Sequence, residues 1–309
     1  MADMLDAPVE LIRGIWGRWV FEITEPRHLA VELFFLGVLV VVLCRQGLAP
    51  LRSTRLVQGT LATFVIFLLN ITISPAVFLL LVPVQRGYDL LGIPHLPASI
   101  WGALPVFVLA PLVALCGDFV DYWNHRLMHT RWVWPVHAMH HSDPDVTAVT
   151  TYRIHILEAV LMKATKILAL SFLGFPRAAL GFGAALLLIH NAYVHVRVDW
   201  GHGPLRYWLA SPRFHRWHHA DVPELYGKNL ANVFPFFDLL FGTYYDPGPC
   251  RAPMGVKGVP QNDVAQLMLF PFTEWGRMLR GSLGSYRTQG QGERGETSMK
   301  ERERAKRRK

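Results

Sequence analysis

The stretch DFVDYWNHRLMHTRWVWPVHAMHHSDPD, from Asp118 to Asp145, places five histidines within seventeen positions. His125 and His129 stand four apart, and His137, His140 and His141 form an HxxHH arrangement. Residues three and four apart share a helix face, so each cluster is expected to present its imidazoles to a common point, as a transition-metal site requires. A second HxxHH follows at His215, His218 and His219. Eight imidazoles in three helix-compatible clusters exceed the need of one tetrahedral ion, and the expectation is a two-metal centre. A helix cap or an interfacial histidine would explain one HxxxH alone, but it does not explain three clusters.

The rest of the chain suits a membrane. The 309 residues are 51% hydrophobic and 17% charged, too apolar and charge-poor for an ordinary soluble domain. Leu29–Cys44, Leu61–Val82 and Ile100–Cys116 read as spans, the second long enough to cross a hydrocarbon core of about 30 Å. Ile156–Phe175 and Ala178–Val194 read as a membrane hairpin broken at Gly174-Phe175-Pro176, which keeps its two ends beside the histidine clusters. Val264–Met278 is expected as an amphipathic surface helix interrupted by Pro271. The fold expected is all-α: a polytopic membrane helical bundle under a cytoplasmic, histidine-rich helical cap. Residues 1–117 would hold the N-terminal spans, 118–250 the histidine-cluster domain with its hairpin at 156–194, and 251–309 a surface segment with a basic disordered tail.

Charge sets the orientation. The loop from Arg45 to Val57 holds Arg45, Arg52 and Arg55 with no acid, whereas Pro83 to Ser99 has Arg86 against Asp89. The positive-inside rule then puts the histidines on the cytoplasmic face, in the inner membrane if the source is bacterial. From Arg287 to the end, nine basic residues face four glutamates; without interleaved aromatics this reads as a tail near anionic lipid and not as a nucleic-acid surface. No cleaved signal peptide is expected. Cys44, Cys116 and Cys250 are an odd number without a CxxC, so neither a disulfide framework nor a thiolate metal site is supported.

HRLMH at His125–His129, HAMHH at His137–His141, and PRFHRWHH at Pro212–His219 followed by DLLFGTYY at Asp238–Tyr245 resemble the fatty acid hydroxylase and sterol desaturase superfamily of membrane di-iron enzymes. The resemblance runs from about Asp118 to Tyr245. Imidazole ligands alone leave iron, copper, zinc and nickel open; the resemblance implies two iron ions, with O2 as co-substrate. It implies that His125, His129, His137, His140, His141, His215, His218 and His219 are metal ligands. His195, twenty residues before His215, matches the isolated histidine that the family places there, although Arg197 stands where the family often has asparagine. His190, followed by Asn191, competes for that role. His155, in a Tyr152-Arg153-Ile154-His155 run before Glu158, resembles another family segment, with Ile156 where proline is usual. Asn229 and Asp238 match the family pattern after the last cluster.

Ligating imidazoles usually donate their second N–H to an acceptor. Asp118, Asp121 and Asp143 are the expected acceptors, with Asn229 and Asp238 as support. His28, His95 and His202 are not candidates. The activity implied is O2-dependent hydroxylation or desaturation of a C–H bond in a sterol, a fatty acyl chain or a related lipid drawn from the bilayer. The sequence carries no flavin or haem module, so a separate electron-transfer protein is implied. The alternatives are a non-redox metal-binding membrane protein, such as a transporter or sensor, and a zinc hydrolase. A transporter should carry ionisable residues through its spans, whereas these histidines cluster after the third, and a zinc hydrolase needs only three protein ligands.

Overall fold

The structure, a computed structural model, describes residues 53–280 and, before them, Gly37. The expected span Leu29–Cys44, with His28, and the basic tail from Arg287 lie outside the described residues. Within them the chain is helical, and the only extended pairing is a bridge between Ala220 and Met254. Among the described residues, three helices are long and apolar enough to cross a membrane: Thr54–Ile73 (the start of a longer helix), Val106–Met128 and Arg177–Val194.

Helix α1, Thr54–Leu90, is capped by the Ser53 hydroxyl, which accepts from Leu56 N. Its 37 residues rise about 55 Å, more than a hydrocarbon core of about 30 Å needs. Its first turns stand beside the histidine layer, where Arg55 Nε meets Asp145 Oδ2 at 2.5 Å and the buried Arg153 donates to Gly59 O and Thr63 Oγ1.

Helix α2, Val106–Met128, begins after Pro105 and continues through Pro111. It runs beyond the Cys116 end of the expected span, and the carboxylates that follow Cys116 are buried and bonded inside. Asp118 accepts from the backbone N–H groups of Asn232, Val233 and Phe234, and Asp121 pairs with Lys166 at 2.8 Å. The span therefore carries His125 directly on its last turn.

After α3, Trp134–His141, and a 3-10 turn at Ala148–Tyr152, the expected hairpin segment forms two helices joined by a turn, α4, Ile156–Leu173, and α5, Arg177–Val194. The turn depends on Gly174, whose φ is +61° and where a Cβ would strike Leu96 O. The tip reaches the α1–α2 connection, with Leu96 N donating to Phe172 O at 2.9 Å and Trp101 Nε1 to Leu173 O at 2.7 Å. The hairpin thus runs the depth of the bundle. Only α5 of the pair meets the composition of a span; α4 carries Glu158, Lys163 and Lys166 towards the histidine end. Close packing of α5 on α2 requires Gly183, where a Cβ would collide with Val113, as small residues permit between membrane helices.

Above the bundle, α6 (Pro212–His218) is capped by Ser211, which accepts from Phe214 N, and α7 (Phe236–Phe241) ends at Gly242. A last helix, α8 (264–280), continues through Pro271 where an interruption was expected. It buries Leu267 against Ile66, Ala138 and Met139, contacts worth roughly 1.5–3 kcal/mol for each fully buried aliphatic side chain, and leaves Leu269, Phe272 and Leu279 exposed.

Candidate metal centre

Every histidine cluster sits where a helix ends on one face of the bundle. His125 is on the last turn of α2 and His129 caps it; His137, His140 and His141 are on α3; His195 caps α5; His215 and His218 are on α6, which His219 caps. These nine side chains form two groups, His125, His129, His137, His141 and His218 in one and His140, His195, His215 and His219 in the other. In each group the ligand atoms all lie within 4.8 Å of one another.

The division corrects the expectation that each cluster serves one point. At about 100° per residue, the first and last histidines of HxxHH point nearly together and the middle one diverges. His137 and His141 therefore enter the first group and His140 the second, while His215 and His219 enter the second and His218 the first. Each HxxHH spans both groups and holds them side by side, with the rings of His141 and His219 4.6 Å apart.

Backbone partners fix the tautomers. A carbonyl oxygen can only accept, so His125 Nδ1 donates to Leu230 O at 2.7 Å, His195 Nδ1 to Asn191 O at 2.6 Å and His218 Nδ1 to Lys228 O at 2.8 Å. His137 Nδ1 faces Glu158 Oε1 at 3.0 Å. The Nε2 lone pairs of these rings then turn inwards. In the first group, His125 Nε2 lies 3.0 Å and His141 Nε2 3.2 Å from His137 Nε2. In the second, His195 Nε2 lies 3.1 Å from His140 Nε2, 2.9 Å from His215 Nε2 and 3.2 Å from His219 Nε2.

Hydrogen bonds cannot satisfy these contacts, because His195, His215 and His219 form a triangle of Nε2 atoms and His195 has no proton on its corner. His129 Nε2 and His218 Nε2 are buried without a partner. Metal–imidazole bonds of about 2.0–2.1 Å would place neighbouring donors of one ion roughly 2.9–3.4 Å apart, which the observed separations match. The donor set therefore fits two transition-metal ions. Burial pushes the imidazoles of His129, His137, His140, His141, His215, His218 and His219 well below the usual histidine range, and that of His195 down to about 4. Neutral rings are the form that binds a metal.

His155 and His190 stand outside both groups. His155 caps α4 by accepting from Leu157 N, and its Nε2 meets Met268 O at 3.1 Å. His190 Nε2 meets Ala210 O at 3.1 Å. The expected acidic acceptors are also placed differently. Asp118 and Asp121 make the contacts described above, and Asp143 accepts from Thr150 Oγ1 and Asp145 N; none of these contacts is with an imidazole. The acceptors are backbone carbonyls and Glu158.

Asp118, Asn229 and Asp238 act one step further out, on the segment that supplies those carbonyls. Asp238 accepts from Leu230 N, Ala231 N and Thr243 Oγ1. Asn229, left-handed at φ +57°, bridges Phe214 O and the backbone of Tyr245. Glu158 was visible in the sequence only as the acid after His155. The signal for its role is the helix's one acid, placed in the first turn and followed by two lysines only later. Of the tryptophans near the clusters, Trp134 packs at a tilt against His129 and His141, while Trp123, Trp132 and Trp208 are exposed.

With this geometry in place, comparison with known proteins is specific. Residues 110–243 match the family model for fatty acid hydroxylase. The chain is 31% identical over 176 residues to an ornithine lipid hydroxylase of Rhizobium tropici, covering 56% of this chain and 53% of that protein. It is 32% identical over 130 residues to the alkylglycerol monooxygenase of Homo sapiens, covering 41% and 28%, and 25% identical over 222 residues to methylsterol monooxygenase 2-2 of Arabidopsis thaliana, covering 69% and 81%. The first two matches thus span about half or less of those relatives. No solved structure matches. The matched residues run from the second turn of α2 to the end of the Asp238–Thr243 support and contain all nine clustered histidines, so residues 110–243 carry a fatty acid hydroxylase domain.

Proposed function

We propose that the protein is a membrane oxygenase that hydroxylates or desaturates a C–H bond of a lipid at a di-iron centre held by His125, His129, His137, His141 and His218 on one side and His140, His195, His215 and His219 on the other. The observation that carries this reading is the pair of buried groups in which Nε2 lone pairs face one another at about 3 Å. Two iron ions bound there would supply, with O2 and two electrons from a separate donor protein, an oxidant able to take hydrogen from an unactivated C–H bond. The chain's own contribution is to hold four of the nine imidazoles, His125, His218, His195 and His137, in fixed orientation through Leu230 O, Lys228 O, Asn191 O and Glu158, and to bury the whole set from water. Supporting context comes from relatives named as an ornithine lipid hydroxylase, an alkylglycerol monooxygenase and a methylsterol monooxygenase. The histidine face is assigned to the cytoplasm, and to the inner membrane in a bacterium, from Arg45, Arg52 and Arg55 at the start of α1 and just before it.

Metal analysis of the purified protein, with oxygen uptake and lipid mass spectrometry, tests this. The expected result is two iron ions per chain and a lipid product heavier by one oxygen or lighter by two hydrogens. Stoichiometric metal without lipid-dependent oxygen uptake in the presence of a reductant would instead support the metal-binding transporter or sensor.

A further inference from the structure

Beneath the histidine layer, α2 and α4 wall a groove of about 890 Å³, within the range of small-molecule sites. Leu115 and Phe119 line one side and Leu168 and Phe172 the other, with Tyr88 at the end near the hairpin tip. The opposite end is polar. There Asn124 Nδ2 donates to Thr165 Oγ1 at 2.7 Å across the groove, and Thr165 Oγ1 in turn donates to Leu161 O. One residue further along α2 stands His125, and two turns further along α4 stands Glu158, bonded to His137. Of the two helices that wall the groove, α2 therefore carries His125 of the first histidine group and α4 carries Glu158, the partner of His137.

An apolar cleft on membrane helices is filled by hydrocarbon, and two observations set this one apart from ordinary lipid-facing surface. Side chains of two helices wall it, and it ends on the polar pair Asn124 and Thr165, of which Asn124 is next in sequence to His125. Polar groups within apolar membrane helices mark functional positions by default, and Asp121, Asn124, Thr165 and Lys166 gather here. We propose that the groove takes one hydrocarbon chain of the substrate, entering sideways from the bilayer, with its free end towards Tyr88 and the oxidised carbon just beyond the Asn124–Thr165 bridge. This rests on the oxygenase reading and narrows it to lipids with an unbranched chain that is attacked towards its polar end.

The test uses the iron-loaded protein in nanodiscs containing a phosphatidylcholine with a diazirine at the end of an acyl chain. After irradiation, labelling at Tyr88 and Leu168–Leu173 should saturate with probe and fall at least tenfold in Ala169→Trp, which fills the groove. Labelling at Phe182 and Leu186, exposed elsewhere on α5, should rise without saturation and stay unchanged, as should the iron content. Cys116→Trp fills the groove from the opposite wall and serves if Ala169→Trp does not reach the membrane. Groove labelling that ignores both substitutions, or that follows Phe182 in its dependence on probe, overturns the proposal. Lipid oxidation by Ala169→Trp at the unaltered rate sinks the groove and leaves the oxygenase; saturable groove labelling in a protein that oxidises no lipid retains the groove and sinks the oxygenase.

Discussion

His125 Nε2 lies 3.0 Å from His137 Nε2 while the other nitrogen of each ring is committed to an oxygen, Leu230 O for His125 and Glu158 Oε1 for His137. When Glu158 is ionised, two lone pairs face each other in a buried site. That arrangement is repulsive unless a cation sits between them, so the fold and the metal should be thermodynamically linked.

Removal of metal should therefore lower stability. An ion that binds only the folded state stabilises it by about 2.7 kcal/mol when its free concentration is a hundred times its dissociation constant. A chelator should lower the melting temperature of the detergent-solubilised protein, and ferrous iron should restore it. An unchanged melting curve would mean that the histidine layer is held by packing alone.

Glu158 tests how strongly an outer partner tunes the site. Loss of such a partner typically costs 10–100-fold in metal affinity. Glu158→Gln keeps an acceptor for His137 Nδ1 but removes the charge, so its affinity should fall by about tenfold; Glu158→Ala leaves Nδ1 unpaired and should lose nearer a hundredfold. Competition with a chelator of known affinity measures both, and equal losses would show that the charge, rather than the hydrogen bond, is what His137 needs.

The reach of the sequence follows from the kind of information each feature carries. Nine clustered histidines and the hairpin at Gly174 were legible, because helical spacing and a turn residue act locally. The split of each HxxHH between two groups depends on where α2, α5 and α6 end relative to α3. The true partners of His125, His195 and His218 are backbone carbonyls, which leave no mark in residue identity. Asp118 and Asp121 misled because a carboxylate near a histidine cluster in sequence looks like a partner for histidine, whereas here Asp118 binds backbone N–H groups and Asp121 binds Lys166.

Asp145 gives an acid-side prediction. The hydrogen bond from Arg55 holds its carboxyl below the usual carboxylate range against the opposing effect of burial. A depressed folded value means that the contribution is present above about pH 4, the ordinary value, and is lost as pH falls through the folded one. With Arg55 largely exposed, the pair should be worth no more than about 1 kcal/mol. Asp145→Asn should cost that much at neutral pH and flatten the acid limb of the melting temperature against pH.

Orientation can be read with cysteines on opposite ends of the bundle. Lys257 is exposed on the histidine side, where Val256 N bonds His141 O, and Ser99 is exposed beside the hairpin tip. With the native cysteines replaced by serine, Lys257→Cys should react with an impermeant thiol reagent only after the membrane is opened. Ser99→Cys should react in intact cells, and the reverse pattern would invert the assignment.

His195 and His190 separate a ligand from its neighbour on one helix. His195 Nε2 meets three other imidazoles of the second group within 3.2 Å, so His195→Ala removes one donor of four and leaves His140, His215 and His219 around an incomplete site. His190 lies more than a turn earlier on α5 and bonds Ala210 O, where its loss disturbs only the segment before α6. Iron content should therefore fall towards half in His195→Ala, because the first group keeps all five of its histidines, and should remain at two ions in His190→Ala. Both proteins should still reach the membrane, since α5 packs through Ala179, Gly183 and its apolar face. Complete loss of iron in His195→Ala would show that the two ions bind only together, whereas loss in His190→Ala alone would place the wrong end of α5 in the centre.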